Sequence, residues 1–341
     1  MSRIRRFLHR TYRVFYFLIP AVILFLVFRR IDFHRLASVV SHSNPWWIAA
    51  GIAYYPFAVM IGAWRWRVLL SGYVGKIPSR FVMKHYWTGL AIGYFMPGSL
   101  GWDAYRVAVA GRKYGRYAMN IAVIMVEKLS ALVCCTTIIA LLSPAVPDSG
   151  RAGLNGILRS AYLLIAGLIV AAAATLALWR NRNLLHRAES GLTILLNKLF
   201  ARFSAGKMKV AAIPLKETIE PLMSGKCLVP VLALSFAIQL FGGLANQVFF
   251  LAVGYKISIV ANLFLGPVLF FIFLLPISFG SLGVREGAYI VLYGLLGVPA
   301  EIALLVSFFN LIGVLLNNAA GGMVMLLSSG KSKEMMAAEK M

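Results

Sequence analysis

The chain has 341 residues, 60% apolar and 13% charged, with 34 Lys and Arg against 11 Asp and Glu and a formal net charge of +23. That composition excludes a disordered chain and an ordinary soluble enzyme, and three cysteines are too few for a disulfide-stapled secreted domain. Nucleic acid is excluded as a partner because the basic residues flank long apolar runs, which is how membrane proteins place positive charge.

A helix needs about 20 apolar residues to cross a bilayer's hydrocarbon core. In chain order, the basic segment with Arg3, Arg5, Arg6, Arg10 and Arg13 leads into an apolar run at 14–28. Arg29-Arg30 follows it instead of a small-residue cleavage site, so a retained first span is expected. Further full spans are expected at 46–64, 118–142, 161–179, 228–253 and 300–327. Two apolar stretches differ in kind. Residues 81–100 are interrupted by Gly89, Gly93, Pro97 and Gly98, with Gly101 just beyond; 262–298 carries Pro267, Pro276, Gly280, Gly283 and Gly287, with Arg285 and Glu286 inside. Broken backbone at membrane depth is tolerated only inside protein or beside a water-filled cavity, so both are expected as re-entrant hairpins.

The loops set the orientation. The segment 180–226 holds nine Lys and Arg residues, and the C-terminal end adds Lys331, Lys333 and Lys340. If 81–100 enters and returns on one side, these blocks and the N-terminus all face the cytoplasm, leaving Arg29, Arg30 and Arg35 as exceptions. Within 180–226, apolar residues at helical spacing over 184–203 describe a basic amphipathic helix, suited to an anionic leaflet or to packing on the bundle.

The broken stretches resemble each other. Pro97, Ser99 and Gly101 match Pro276, Ser278 and Gly280, and Ile121-Ala122 in the following span matches Ile302-Ala303. Each half therefore reads as span, hairpin, span, in opposite orientations, the construction of many transporters. The predicted fold is an all-α polytopic integral membrane protein with about six full spans plus two re-entrant hairpins related as an inverted repeat. The segments are 1–45 (N-terminus and first span), 46–142 (first repeat), 143–227 (outer loop, connecting span, basic segment), 228–327 (second repeat) and 328–341 (polar tail).

At these residues the chain resembles the flippase-like membrane family that includes the transmembrane half of lysyl-phosphatidylglycerol synthase. Pro97, Gly101, Asp103 and Arg106 match its first motif, with Trp102 where a second Gly is usual; Pro276, Ser278, Gly280, Gly283, Arg285 and Glu286 match its late motif, with Ser281 in place of a Gly. Glu127-Lys128 stands for its Glu-Arg pair, and Arg65-Trp66 for its Arg-Trp. The resemblance implies movement of lipids between leaflets. It does not imply synthase activity.

Ionisable groups at membrane depth are costly and face a cavity or a partner. Arg106 and Arg285 are therefore expected to hold a lipid phosphate, with Pro97, Ser99, Gly101, Pro276, Ser278, Gly280 and Gly283 shaping the turns around it. Asp103, Glu127, Lys128 and Glu286 are expected to orient the arginines or carry a coupling charge. Internal ion pairs that only pin the hairpins are the competing reading. Arg65 and Arg67, alternating with Trp64 and Trp66, are read first as an interfacial anchor, with headgroup contact second, and Trp46 and Trp47 read as an anchor too. Tyr94, Tyr105 and Tyr289 are packed aromatics or cavity liners. Cys134, Cys135 and Cys227 read as buried apolar groups, Glu301 as a helix start, and His34, His42, His85 and His186 show no metal spacing. No cofactor is expected. The function expected is a flippase for an anionic phospholipid or polyprenyl-linked lipid. A membrane enzyme acting on a lipid-linked substrate, or a non-transporting accessory of lipid-modifying enzymes, is the alternative.

Overall fold

A computed structural model describes residues 31–94, 100–115, 117–146, 220–274 and 279–338, with positions 22, 25, 29, 156, 163 and 167. Most of the expected span 14–28, nearly all of 161–179, all of 184–203, and Pro97, Ser99, Pro276 and Ser278 lie outside the described residues.

Among the described residues every regular element is helical. A short helix α1 (Phe33–Ser41) begins at Asp32, whose carboxylate accepts from the His34 and Arg35 amides. Helix α2 (Pro45–Val74) starts with Asn44 capping Trp46 N and with proline at its first position, where no N–H is needed. There follow α3 (Ser79–Tyr94), α4 (Leu100–Tyr114), α5 (Tyr117–Leu142), α6 (Gly225–Ala252), α7 (Ile259–Leu274), α8 (Val284–Gly294) and α9 (Ala300–Ala338), which has Glu301 in its first turn. Four segments are long and apolar enough to cross a membrane: Pro45–Val74, Tyr117–Ala145, Gly225–Ala252 and Ala300–Ser328. Their outward faces keep large apolar side chains such as Trp64, Phe241, Leu316 and Leu326, as a lipid-facing surface requires.

The helices pair by a rule. Helix α2 lies along α6; α3 packs on α9 and α7 on α5; α3 pairs with α4 and α7 with α8. Helix α4 meets α5 and α8 meets α9, and the remaining close pairs among α2–α9 are α2–α3 with α6–α7, α2–α5 with α6–α9, and α2–α9 with α5–α6. Exchanging α2 with α6, α3 with α7, α4 with α8 and α5 with α9 leaves α2–α6 in place and maps every other of these pairs onto another. Two cores form, each drawn mainly from one half, though Cys227 and Val231 of α6 join the first and Ile139 of α5 joins the second. One gathers Trp66, Leu69, Phe81, Val82, Tyr86 and Val123; the other gathers Phe249, Phe250, Phe264, Leu269, Tyr293 and Val306.

Helices α3 and α4 run antiparallel. Lys113 at the end of α4 sits 4.3 Å from the Phe81 ring at the start of α3. At the other end Gly93 lies so close to Trp102 that a methyl group on it would come within 2.6 Å of the Trp102 Cβ. Helices α3 and α7 have 16 residues each. At 1.5 Å per residue each is roughly 24 Å long, short of the roughly 30 Å hydrocarbon core. The two short-helix pairs touch at their tips: Gly280, at φ +55°, lies under the Tyr94 ring, where a methyl group would come within 2.8 Å of it.

Several expected interruptions are not breaks. Gly89 and Gly93 lie within α3, Gly101 within α4, Pro267 within α7 and Gly287 within α8. An interior glycine costs a helix only about 1 kcal/mol. At Gly89 and Gly93 the missing side chain lets Trp102 approach the α3 backbone. The described helices instead end at Tyr94 and Leu274 and resume at Leu100 and, after a 3-10 turn at Phe279–Ser281, at Val284.

Candidate functional site

The first half builds a buried ion-pair chain. Glu127, on α5, accepts from Arg65 Nη2 at 2.9 Å through Oε1 and from Arg106 Nη1 at 2.8 Å through Oε2. Arg106 then donates from Nη2 to Asp103 Oδ1 at 2.7 Å, one turn earlier on α4, and the other Asp103 oxygen lies 2.9 Å from Lys128 Nζ. Three cations meet two carboxylates, so the chain carries one positive charge in excess. The remaining terminal nitrogen of Arg65 reaches across to the second half, donating to Ser235 Oγ on α6 at 3.0 Å, and Ser235 lies 3.1 Å from Ser130 Oγ.

Arg106 is fully buried. Its guanidinium centre lies 4.4 Å from the Trp102 ring, 5.1 Å from Tyr86 and 5.5 Å from Trp66, an aromatic enclosure that stabilises a desolvated cation. Both of its terminal nitrogens are taken by carboxylates. In this structure Arg106, expected as a headgroup ligand, is engaged with protein groups. It holds Glu127 and Asp103 in place.

A second correction concerns Arg65 and Trp66. Both are buried, Trp66 at 1% exposure, so they are not part of an interfacial belt. Helical geometry explains the difference: Trp64 and Arg65 are about 100° apart around the axis, so Trp64 stays exposed while Arg65 turns inward. Arg67 turns to the Ile77 carbonyl at 2.8 Å. Trp46 and Trp47 are exposed at the start of α2.

The hydrogen-bonded network of the second half is built mainly from neutral polar groups. Asn246 Oδ1 on α6 accepts from Tyr289 OH at 2.8 Å and from Asn310 Nδ2 at 3.0 Å, and Asn310 in turn accepts from Tyr55 OH at 2.6 Å. Asn262 receives the Tyr293 hydroxyl at 2.8 Å and donates to Gln247. Glu286 is turned back on its own helix start, accepting from Gly283 N at 2.6 Å. Among the described residues, Glu286 Oε1 and Arg285 Nη1 are buried without a hydrogen-bond partner. The Arg285 guanidinium lies 5.6 Å from the Phe273 ring.

Between the halves lies a cleft of about 360 Å³. Arg65, Glu127 and Lys128 line one part; Asn246, Tyr289, Asn310 and Phe273 line another. Tyr54, Tyr86, Trp102, Leu269 and Phe270 supply apolar wall. The cleft has the makeup of a small-molecule site, mostly apolar with a few convergent polar groups. Of the residues expected from sequence, Glu127, Lys128 and Tyr289 reach it. Asp103 and Arg106 stand behind them, and Arg285 stands beside Phe273. Tyr94 covers Gly280, and Tyr105 hydrogen-bonds His85.

Sequence reasoning passed over Asn246, Asn262, Asn310 and Ser235. Uncharged polar residues in the middle of apolar runs were the available signal, since at membrane depth they need partners as ionisable groups do.

The family model for the lysylphosphatidylglycerol synthase transmembrane region matches residues 13–321. The chain belongs to this family. With its apolar helices, it is an integral membrane protein related to lipid synthesis and flipping. No curated protein and no solved structure matches it. The match takes in both halves and the cleft between them. Of the two departures from the family motif, one packs on a buried cation and the other carries backbone strain. Trp102 forms the nearest ring over Arg106, and Ser281 adopts φ +60°, a conformation that favours glycine.

Proposed function

We propose that the protein carries an anionic lipid between leaflets, its headgroup passing through the cleft between two inverted halves. The observation that supports this most is the cleft itself: both halves line it, and the excess positive charge of the Arg65–Glu127–Arg106–Asp103–Lys128 chain stands at one part of it. Lys128, the more exposed cation lining the cleft, is the first contact for a phosphate, with Arg65 adding its charge behind it. Arg285, buried with Nη1 unpartnered among the described residues, is a second phosphate ligand, and Glu286 carries the coupling charge. The pairing rule of α2–α9 fits an inverted repeat, in which one half rocks against the other. In this reading both hairpins are re-entrant, both termini face the cytoplasm of a bacterial-type inner membrane, and the protein transports its lipid without transforming it.

The test is leaflet exchange in proteoliposomes containing a labelled anionic lipid. Arg285→Ala, Glu286→Gln and Lys128→Gln are each expected to slow exchange at least tenfold, and exchange unchanged in all three removes the proposed site. A labelled lipid recovered chemically altered by the purified protein would replace transport with catalysis. Topology has its own test. Lys76→Cys and Arg112→Cys, at the two ends of the α3–α4 pair, are expected to react with an impermeant reagent from the same side of the membrane.

A further inference from the structure

A second cleft, of about 570 Å³, opens where the start of α3 meets the end of α4. Arg80, Lys84, Arg112 and Lys113 line it, and among the described residues no carboxylate does. All four cations are exposed, and among the described residues none of them forms an ion pair. Like charges gathered in one recess repel one another, and the usual remedy, an interleaved acid, is missing from its wall. The charges are also positioned. Lys113 Nζ is held 4.3 Å from the Phe81 ring and 5.3 Å from Tyr114. Apolar surface from Pro78, Phe81 and Val109 shares the recess, so an amphiphile meets cationic and apolar contacts together. Lys113 lies seven residues, roughly 10 Å of helix, beyond Arg106. The recess is therefore separate from the cleft between the halves.

We propose that this recess binds a phosphate-bearing anion, and that the source is the headgroup of an anionic lipid in the leaflet bordering the α3–α4 pair. Basic recesses between helices at a membrane surface have the right chemistry for such headgroups. The site concentrates anionic lipid beside the hairpin and needs no transport to do so.

The test uses the full chain in neutral detergent, titrated with phosphatidylglycerol and with phosphatidylcholine, with bound lipid counted by native mass spectrometry. Wild type is expected to retain phosphatidylglycerol over phosphatidylcholine. The variant Arg80→Gln/Lys84→Gln/Arg112→Gln/Lys113→Gln is expected to lose at least about tenfold in that retention, since each cation near an anionic surface contributes measurably. Arg80→Lys/Arg112→Lys keeps the charge and is expected to keep the lipid; if the quadruple variant does not fold, Lys84→Glu is read instead. Inorganic phosphate is the second arm. Lipid retained against millimolar phosphate assigns a headgroup, and lipid displaced by it reassigns the recess to a soluble anion. Equal retention by wild type and the charge-removed variant overturns the proposal. Arg285→Ala leaves this recess intact, so retention in that variant separates failure here from failure at the cleft between the halves.

Discussion

The two halves share one helix layout and solve the same problem with different chemistry. In α2–α5 the buried polar groups are ionic: two carboxylates divided among three cations. In α6–α9 the hydrogen-bonded network is of amides and phenols, with Asn246, Asn262 and Asn310 joined to Tyr289, Tyr293 and, from α2, Tyr55, while the buried charges Arg285 and Glu286 form no ion pair among the described residues. A layout of paired spans and short-helix pairs leaves polar backbone and side chains at depth in both halves, and either kind of network can satisfy them. The difference lies in what removal costs. A neutral amide left alone loses hydrogen bonds, whereas a charge left alone must also be desolvated without compensation.

That contrast can be broken by substitution. The largest effect is expected at Glu127. Glu127→Ala removes the carboxylate that Arg65 pairs with and leaves Arg106 with Asp103 alone, and removal of one partner from a buried pair costs roughly 3–5 kcal/mol. Thermal unfolding in detergent is expected to show a large fall in midpoint or a loss of monodisperse protein; a variant as stable as wild type would mean that the pairs are solvated. Asn246→Leu comes next. It leaves the Tyr289 hydroxyl and the Asn310 amide without their shared acceptor, at a cost of roughly 1–3 kcal/mol. If it destabilises as much as Glu127→Ala, the contrast between the halves is lost.

Arg285→Ala sharpens the comparison from the other direction. Arg285 forms no ion pair with any described residue, so its removal is expected to cost roughly 1 kcal/mol or less while leaflet exchange collapses. A large stability loss with exchange intact would make it a structural cation. The smallest effect is expected at Ser281. Its φ of +60° strains any residue with a Cβ, so Ser281→Gly should raise stability by roughly 1 kcal/mol, read as an upward shift in the same unfolding midpoint. No gain there would mean that the hydroxyl makes a contact worth as much as the strain.

Much of this architecture was readable from residue order alone. Apolar runs near 46–64, 118–142, 228–253 and 300–327 appear as the four long helices, because burying a polar backbone in lipid leaves a helix of that length as the simple solution. The clustering of proline and glycine marked where the described helices stop at Tyr94 and Leu274, but the expected hairpin at 81–100 takes in only α3 of its pair, since α4 runs on to Tyr114. The assignment of individual interruptions was not readable, since a glycine such as Gly93 can open a helix surface to a neighbour as readily as end the helix. The charged set was legible by type, because an Asp, Glu, Lys or Arg at depth stands out against apolar neighbours.

Residue order thus determined a helical chain for lipid and the short set of ionic side chains that lipid cannot solvate alone. Tertiary structure decided who meets whom. It drew Arg65 inward to Glu127 from 62 residues away and on to Ser235 from 170 away. It sealed Arg106 behind aromatic rings, and it left Lys128 facing the cleft. Burial of a charge depends on which surfaces close over it, and those surfaces come from helices far apart in the chain.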